Sequence, residues 1–504
     1  MSHGVFHHLR LRRLGIDTYQ EPVVYMRSDC HVCRAEGFEA RSRVKLTLGT
    51  RHIVATLNVV HGDLLAHDEA ALSEFAWGAL EAREGEKVAV AHPDPVASES
   101  RLRAKVYGER LSDADLHAII ADVARGNYSD LHLAAFVTAG AGDRLDAGET
   151  LALTRAMIDV GERLRWNYPV VADKHCVGGL PGNRTTPIVV SIVASRGLPI
   201  PKTSSRAITS PAGTADTMET LAPVDLDLAA MRKVVEREGG CVVWGGAVRL
   251  SPADDILIQV ERPLDFDSDG QLVASVLSKK AAAGATHVVI DMPVGATAKV
   301  RNPASAQSLS KRLQAVAAGL GLNLRIELTD GTQPVGRGVG PALEARDVLA
   351  VLQCQKDAPH DLRERAVLLA GALLELGGGV AVGEGPHVAL RALDDGSAWK
   401  KFQAICEAQG GMRQPPRSTR THVVAAVEAG LVKSFDNRRL ARLAKLAGAP
   451  HAPAAGLDLH ARVGDQVRPG QPLFTLHAES PGELAYALDY LAAQPSILTI
   501  EPAA

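Results

Sequence analysis

The residues whose types and spacing can do chemistry are concentrated in one segment, residues 170–218. It contains three polar motifs: DKHCVGGLPG at 173–182, KTSSR at 202–206 and GTAD at 213–216. The first follows an apolar run and precedes a helix-like run, which predicts a strand, a glycine turn and the start of a helix. Backbone N–H groups in such a turn bind anions together with the helix dipole. The segment therefore predicts a phosphate site.

Each motif also has an ordinary interpretation. A single glycine loop is most often a plain turn in an α/β domain. Here the first motif adds a point charge, Lys174, and a titratable donor, His175. The second motif adds two more cations, Lys202 and Arg206. Three loops with three cations favour phosphate binding over three unrelated turns.

The elements that must position these motifs alternate from residue 166 onward. Short apolar runs separated by helical segments predict strands at 170–172, 199–203, 241–244, 287–292 and 325–328. Strands that alternate with helices favour a mostly parallel sheet. Ahead of them, helical periodicity at 111–126, 129–138 and 149–164 predicts a small bundle, to which a helix at 272–283 returns.

The first 90 residues have a different, strand-rich pattern. Strand-like runs occur at 22–26, 43–48 and 51–57. A helix is predicted at 68–82. Cys30 and Cys33 form a C-x-x-C pair, which can hold zinc when two further ligands are near. No second pair lies close in the sequence, so a structural or incidental role is the favoured interpretation.

Composition excludes several classes of function. The chain has 504 residues, 46% of them hydrophobic, which is enough for two to four domains with packed cores. The net charge of −3 gives no basis for a nucleic-acid or membrane partner. No apolar run is long enough to span a bilayer and no targeting leader opens the chain, so we expect no membrane segment. Six scattered cysteines predict a reduced, cytoplasmic protein.

The longer motifs carry a family resemblance. The patterns DKHxxGGxxGN, KTSSRAITSxAGTAD and ASVLSKK resemble those of the thymidine/pyrimidine-nucleoside phosphorylases. They are most similar to the branch that holds the AMP phosphorylases and the bacterial type 2 thymidine phosphorylases. The resemblance extends from Leu111 to the C-terminus. The long second pattern is far more specific than a lone glycine loop.

The resemblance and the element pattern together predict a multidomain α/β fold. The predicted domains are an N-terminal β-rich domain (1–90), a small helical domain (91–165, completed by 250–284), a mostly parallel α/β phosphate-binding domain (166–249 and 285–425) and a C-terminal β-hammerhead (α+β) domain (426–504). The last domain has the alternation of a lipoyl domain but lacks the acceptor lysine of a carrier. We expect it to be structural and interfacial, in a homodimer or larger homo-oligomer.

The resemblance also implies roles for individual residues. Asp267 is implied as the proton donor to the departing base, with His175 and Lys279 as further catalytic residues. The implied phosphate and nucleotide ligands are Lys174, Gly179, Ser204, Ser205, Arg206, Ala207, Ile208, Thr209, Ser210, Thr214, Ser275 and Lys299. The family implies no metal and no cofactor, because inorganic phosphate is a co-substrate and is itself the nucleophile. Ser275 and Lys279 are four residues apart, so both can reach one ligand from one helix face.

The residues alone leave alternatives open at several positions. Asp267 lies in an acidic run that composition interprets as a solvated turn, and Lys279 can be a lysine whose stem is buried. Two residues depart from the family pattern. Glu261 stands where thymidine phosphorylases place an arginine that contacts the pyrimidine, and Cys176 stands where they usually have serine. Both departures weaken the expectation of a strict pyrimidine preference.

Four functions are compatible with the sequence. The first is phosphorolysis of thymidine to thymine and 2-deoxyribose 1-phosphate. The second is phosphorolysis of a nucleoside 5′-monophosphate such as AMP to ribose 1,5-bisphosphate, with Lys299 as the cation for the 5′-phosphate. The third is a phosphoribosyltransferase with Mg²⁺ at Asp216 and Glu219. The fourth is a non-catalytic nucleotide sensor, and the retained set of catalytic residues argues against it.

Overall fold

The chain divides into two compact units, Met1–Phe136 and Val137–Ala504. The computed structural model describes residues 7–182, 184–207, 210–248, 250–264 and 268–502. Across those ranges, no helix is long and apolar enough to cross a membrane.

The first unit contains a closed six-stranded barrel with strand order β1-β5-β2-β4-β3-β6. Its elements are β1 (His7–Arg13), β2 (Val23–Arg27), α1 (His31–Glu36), β3 (Arg43–Leu48), β4 (Arg51–Val60), β5 (Glu69–Leu72), α2 (Glu74–Leu80), β6 (Lys87–Ala91), α3 (Glu99–Val106) and α4 (Asp113–Ala124). Helix α5 (Asp130–Ala139) spans the division between the units. Alternate strand residues such as Leu9, Leu11, Val24 and Met26 fill the barrel core.

The helix predicted at 68–82 is wrong in its first third. Residues 69–72 form β5, which pairs parallel with β1 and antiparallel with β2. These ladder hydrogen bonds close the barrel. The stability that strand pairing adds outweighs the helical preference of this segment. Helix α2 starts only after Ser73, whose hydroxyl accepts a hydrogen bond from the backbone N–H of Ala76 at 3.3 Å.

The C-x-x-C pair lies at the start of α1. Cys30 is the N-cap of this helix, and its Sγ accepts a hydrogen bond from the backbone N–H of Cys33 at 3.3 Å. Both are free thiols buried in the barrel core. The structure therefore gives Cys30 a helix-capping contact.

The second unit contains the α/β layers. Its elements up to residue 408 are α6 (Ala147–Asp159), β7 (Ala172–Cys176), α7 (Thr185–Ser195), β8 (Ile200–Ser204), α8 (Thr214–Glu219), α9 (Leu228–Glu238), β9 (Gly240–Trp244), α10 (Pro252–Leu264), α11 (Asp269–Ala282), β10 (His287–Val294), α12 (Pro303–Gly319), β11 (Asn323–Asp330), β12 (Gly338–Val339), α13 (Pro341–Leu352), α14 (His360–Leu376), α15 (Gly385–Asp394) and α16 (Ser397–Ala408).

All five predicted strands of this unit form, and all pair in parallel. Strands β11, β10 and β7 make one sheet, β8 and β9 make a second pair, and Ala172 N–H donates to Pro199 O at 2.8 Å between β7 and the start of β8. Parallel strands place their carboxyl ends at one edge, where ligands bind in open α/β sheets. The core beneath is rich in Val, Ile, Leu and Ala, including Ile188, Val189, Val242 and Val289.

The first strand lies later in the chain than predicted, at 172–176 instead of 170–172. It pairs with β10 from Ala172 opposite His287 to Cys176 opposite Asp291. Its polar residues are tolerated there because buried side chains of opposite charge face them, as described below. The predicted loop residues 173–175 are therefore strand residues.

Helix α11 packs against α6 in the second unit. Ser268 Oγ donates to Gly140 O at 3.0 Å, and Gln271 Nε2 donates to Val137 O at 3.3 Å. Leu151 of α6 packs against the cluster that holds Val273 and Leu277. The chain thus leaves these helices after Asp159 and returns to them at Asp269, more than a hundred residues later.

The C-terminal part forms two small antiparallel sheets, with strand orders β12-β15-β17-β13 and β16-β14-β18. Its elements are β13 (Arg420–Ala425), β14 (Gly430–Phe435), α17 (Asn437–Leu446), β15 (Gly456–Leu459), β16 (Gln466–Val467), β17 (Pro472–Ala478), α18 (Pro481–Ala493), a 3-10 turn (Pro495–Ile497) and β18 (Leu498–Pro502). Strand β12 comes from the α/β part and pairs with β15. The predicted multidomain α/β fold class is confirmed.

Candidate active site

The first glycine loop follows β7 and leads into α7. Gly178 and Gly179 have φ angles of 120° and 89°, which side chains other than glycine's rarely adopt. A Cβ on Gly182 would lie 2.5 Å from Cys176 Sγ and 2.9 Å from Asp291 Oδ2. The loop therefore needs glycine both for its conformation and for its close approach to β7 and β10.

Lys174 lies beneath this loop and is fully buried. Its Nζ donates to Thr185 Oγ1 at 2.6 Å and lies 3.8 Å from Asp291 Oδ2. Asp291 is held in turn by Thr329 Oγ1, which donates to its Oδ1 at 2.6 Å, and by Arg365 Nη1 at 3.7 Å. The cation is thus fixed at the base of the loop by strands β7, β10 and β11.

Asp173 is the centre of a second buried charge group on the same strand. Its Oδ2 accepts from Lys280 Nζ at 2.8 Å, and its Oδ1 lies 3.6 Å from Lys202 Nζ. Burial holds the pKa of Lys202 well below its usual value, and the neighbouring Lys280 and Lys174 add to that effect against the pull of Asp173. With Asp291, three buried lysines face two buried carboxylates, an arrangement that favours binding of an anion.

His175 is half-buried at the end of the same strand. Burial lowers its pKa well below the usual value, and the charges of Lys280, Lys202, Lys279 and Lys174 lower it further. The imidazole is therefore neutral at pH 7, and it can orient a ligand by hydrogen bonding but does not carry a proton to donate as a cation.

The second motif supplies hydroxyl groups at the end of β8. Ser204 is 8% exposed, and its Oγ has no hydrogen-bond partner among the residues that the structure describes. Ser205, the next residue, is exposed. A buried hydroxyl without a partner at the carboxyl edge of a parallel pair is suited to a ligand oxygen.

Arg206 does not present its guanidinium to open space. It makes a bidentate contact with Glu219, at 2.5 and 3.1 Å, and a third contact with Asp216 Oδ1 at 3.2 Å. Its Cζ lies 4.9 Å from the ring centroid of Trp244. The prediction that Arg206 holds phosphate stays a prediction, and the guanidinium seen here is committed to carboxylates and an aromatic face.

Asp216 joins the second motif to the third. Its Oδ2 accepts from the backbone N–H of Ala207 at 2.7 Å and from that of Gly213 at 2.9 Å. Thr214 begins helix α8, and Ser210 Oγ donates to Ala212 O at 2.9 Å. Asp216 therefore holds the backbone after the second motif against the backbone of the third motif.

Helices α10 and α11 bring a third charge group to the site. Lys279 Nζ contacts Asp254 Oδ2 at 2.5 Å, and Ser275 lies one turn earlier on α11. Burial alone would lower the pKa of Lys279, but Asp254, Asp255 and Glu261 outweigh it and raise that pKa. Lys279 is accordingly a firmly charged cation.

Lys299 connects this group to the glycine loop. It is exposed on the loop after β10, and its Cδ lies 3.8 Å from the position that a Cβ on Gly178 would occupy. Its charge also lowers the pKa of Glu261 against the larger effect of burial. The structure therefore brings Lys174, Gly178, Lys279 and Lys299 to one region.

The roles that the resemblance implies for the site residues stay predictions, and three of these residues, Asp267, Ile208 and Thr209, lie outside the described residues. Sequence reasoning did not single out Asp291 or Asp254 as site residues. Asp291 had a detectable signal, a carboxylate within the apolar run VVIDMPV. Within the described ranges, no three His, Cys, Asp or Glu side chains are arranged to hold a metal ion.

Comparison with known proteins places these features in a family. Residues 168–399 match the model of the glycosyl transferase family a/b domain, residues 100–161 its helical bundle domain, and residues 431–497 the pyrimidine nucleoside phosphorylase C-terminal domain. "Putative thymidine phosphorylase 2" of Acidovorax sp. (strain JS42) is 66% identical over 98% of this chain and 96% of its own length. "Putative thymidine phosphorylase" of Polaromonas sp. (strain JS666) is 66% identical over 97% and 96%.

The fold is also similar to that of a solved structure of a transferase. Anthranilate phosphoribosyltransferase from Thermus thermophilus covers 61% of this chain and 98% of its own, with a TM-score of 0.52 and 19% identity. At that identity the likeness concerns the fold alone.

Proposed function

Because the chain belongs to the glycosyl transferase family with a pyrimidine nucleoside phosphorylase C-terminal domain, we propose that it cleaves the N-glycosidic bond of a nucleoside with inorganic phosphate. The observation that carries this proposal is the pair of buried charge groups beneath the glycine loop. Lys174 in β7 and Lys202 in β8 are buried beside Asp291 and Asp173, and together with Lys280 the buried lysines outnumber these two carboxylates. Such a site binds an anion that needs no further activation, and phosphate is its own nucleophile.

The reaction requires three things of this chain's residues. The loop and Lys174 hold phosphate under C1′ of the sugar, and the neutral His175 and the cation Lys279 orient the sugar and base. A group must also give a proton to the base nitrogen as the bond to C1′ breaks, because the base is a poor leaving group as an anion. The sequence-derived candidate for that role is Asp267.

Two substrates are candidates. Thymidine is named in the relatives, and its products would be thymine and 2-deoxyribose 1-phosphate. The second candidate is a nucleoside 5′-monophosphate, and the position of Lys299 favours it. This exposed cation lies beside Gly178 and adds a charge beyond the lysines already buried beneath the loop.

A panel assay tests the proposed reaction. Purified protein is incubated with phosphate and, in separate reactions, thymidine, uridine, cytidine, adenosine, AMP and CMP, and the released bases are identified by chromatography. We expect release that depends on phosphate and proceeds in EDTA. Release that needs pyrophosphate and Mg²⁺ would instead support a phosphoribosyltransferase. The carboxylates first considered for that metal, Asp216 and Glu219, are occupied by Arg206 here.

Lys299→Ala distinguishes the two substrates. If Lys299 holds a 5′-phosphate, the variant should raise KM for AMP or CMP by about ten- to a hundredfold, the value of one charge-assisted contact, and leave KM for inorganic phosphate nearly unchanged. Lys400→Ala, which removes an exposed lysine of α16, is the matched control. A silent Lys299→Ala variant combined with preferred turnover of thymidine would leave thymidine as the substrate.

A further inference from the structure

Arg365 of α14 contacts the first glycine loop, and its side chain is only 9% exposed. Its Nη1 donates to Pro181 O of that loop at 3.1 Å and to Thr329 Oγ1 at 2.9 Å. Its Nη2 donates to Asp330 O at 2.8 Å. One guanidinium thus joins the glycine loop to the carboxyl end of β11.

The same guanidinium also acts on the carboxylate that faces Lys174. Arg365 Nη1 lies 3.7 Å from Asp291 Oδ1, and Lys174 Nζ lies 3.8 Å from the other oxygen of that carboxylate. Thr329 Oγ1 donates to Asp291 Oδ1 at 2.6 Å. Because Arg365 donates to this hydroxyl, the single hydroxyl proton is left for Asp291. Asp291 is therefore shared by two cations and oriented by one hydroxyl group.

This sharing affects the charge that Lys174 offers to a ligand. The neighbouring pair of Lys280 and Asp173 is closed by a hydrogen bond of 2.8 Å. Lys174 and Asp291 stay 3.8 Å apart, and Asp291 Oδ2 accepts no hydrogen bond from the residues that the structure describes. A carboxylate that two cations share neutralises each of them only in part. The Lys174 ammonium therefore retains positive charge for an anion, and Arg365 is the cation that makes the difference.

We propose that Arg365 is a positioning residue for phosphate, an inference that rests on the function proposed above. It holds the glycine loop through Pro181 and, by sharing Asp291, keeps Lys174 from closing onto that carboxylate. Without the guanidinium, Asp291 attracts Lys174 more strongly, so the ammonium moves toward the carboxylate and away from the anion. The loop also loses the hydrogen bond that fixes the Pro181 carbonyl.

Arg365→Ala tests this role through the binding of inorganic phosphate. Isothermal titration calorimetry with phosphate measures the Kd without turnover, and steady-state kinetics with the best cleaved of thymidine, AMP and CMP measure both KM values. We expect the Kd and KM for phosphate to rise by about ten- to a hundredfold, as for a misplaced binding group, and the KM for the nucleoside or nucleotide to stay within about threefold of wild type. The second value is spared because Lys279, which is proposed to orient the sugar and base, lies on α11.

A cavity beside Arg365 allows chemical rescue. The cavity has a volume of about 370 Å³, and its lining includes Arg365, Asp330, Asp361 and Leu368. Arg365→Ala opens the place of the lost group to this cavity, so a free guanidinium ion can enter it. We expect millimolar guanidinium chloride, but not sodium chloride at the same concentration, to lower the phosphate KM of this variant toward wild type. Arg365→Lys should lie between the two, since an ammonium keeps the charge but lacks the planar fork of donors.

Arg312→Ala is the matched control. The Arg312 side chain of α12 is 15% exposed, donates to Leu145 O at 2.6 Å and pairs with Asp143 Oδ1 at 3.1 Å, so it makes the same kinds of contact ahead of α6. We expect this variant to lose stability and to keep the wild-type Kd for phosphate. Wild-type phosphate affinity in Arg365→Ala, an equal loss of affinity in Arg312→Ala, or a loss that neither guanidinium nor Arg365→Lys reduces would overturn the proposal.

The phosphate Kd and the base-release assay separate this assignment from the proposed function. If the wild type binds phosphate but releases no base, the proposed function is wrong, and the Kd comparison between the variants still decides the role of Arg365. If Arg365→Ala binds phosphate and releases base as the wild type does, this assignment is wrong and phosphorolysis stands. A wild-type protein that binds no phosphate would overturn both.

Discussion

At the scale of single residues, the site is organised by buried carboxylates that hold lysines in place. Asp173 lies between Lys280 and Lys202, and Asp291 faces Lys174. Buried ion pairs contribute little net stability, but removing one partner leaves an uncompensated charge in a low-dielectric interior. These carboxylates therefore oppose the effect of burial, which favours loss of the lysine charge.

Asp173→Asn tests this arrangement. The substitution leaves Lys280 and Lys202 buried without a full counter-charge, so we expect the free energy of unfolding to fall by about 3–5 kcal/mol. Glu501→Gln is the control, because it removes one partner of the exposed pair with Lys433, worth about 0–1 kcal/mol. Urea denaturation followed by circular dichroism measures both. Similar losses of unfolding free energy for the two variants would show that the charge of Asp173 does not stabilise the buried lysines.

At the scale of elements, the two later motifs depend on close backbone contact. Gly213 has an extended conformation, and a Cβ there would lie 2.5 Å from both Arg206 C and Ser205 O. The segment that carries Ser204 and Ser205 thus lies directly against the start of α8. The requirement for glycine here comes from the proximity of backbone atoms, which cannot rotate away as a flexible side chain can.

Gly213→Ala should separate these two segments. We expect a loss of about 1–3 kcal/mol in stability from overpacking, with a rise in KM for inorganic phosphate because the hydroxyl groups move. Gly482→Ala is the matched control, since Gly482 lies in the first turn of α18 with no atom within 4 Å of the added methyl group. Thermal melting and phosphate saturation curves measure the two effects. If Gly213→Ala has the melting temperature and the phosphate KM of the wild type, the two segments can move apart without loss of stability or phosphate binding.

At the scale of the whole molecule, the C-terminal part supports the loop that carries Lys299. Asn437 at the start of α17 is 3% exposed, and its Nδ2 donates to Thr297 Oγ1 at 3.1 Å and to Gly331 O at 3.0 Å. Thr297 precedes Lys299 by two residues. One buried amide thus joins the C-terminal part to two loops at the carboxyl edge of the parallel sheet.

Asn437→Ala should weaken that support. Loss of two buried hydrogen bonds should cost about 1–3 kcal/mol in stability, and a misplaced Lys299 should raise KM for whichever substrate depends on it. Asn58→Ala, at an exposed position in β4, should change neither. Denaturation and steady-state kinetics on both variants provide the measurement. If the KM of Asn437→Ala equals that of wild type, the C-terminal part does not position the Lys299 loop.

The sequence alone determined the local character of the chain. Apolar runs and helical periodicity located the five parallel strands and the glycine loop between β7 and α7, because these patterns repeat over a few residues. The long motifs identified the family, and the matches at 66% identity support that interpretation. Even so, the strand boundary at 172–176 was misplaced, because polar residues in a strand are recognised only when their partners are known.

Only the tertiary structure decided which charges meet. Asp173 finds Lys280 from 107 residues away, and Arg206, which looked from its sequence like a phosphate ligand, is paired with Glu219. Burial and the charge of Asp254 raise the pKa of Glu261, whereas the charges of Lys299 and Lys279 lower it. Electrostatic interaction depends on distance and on local dielectric, and a sequence specifies neither until the chain has folded.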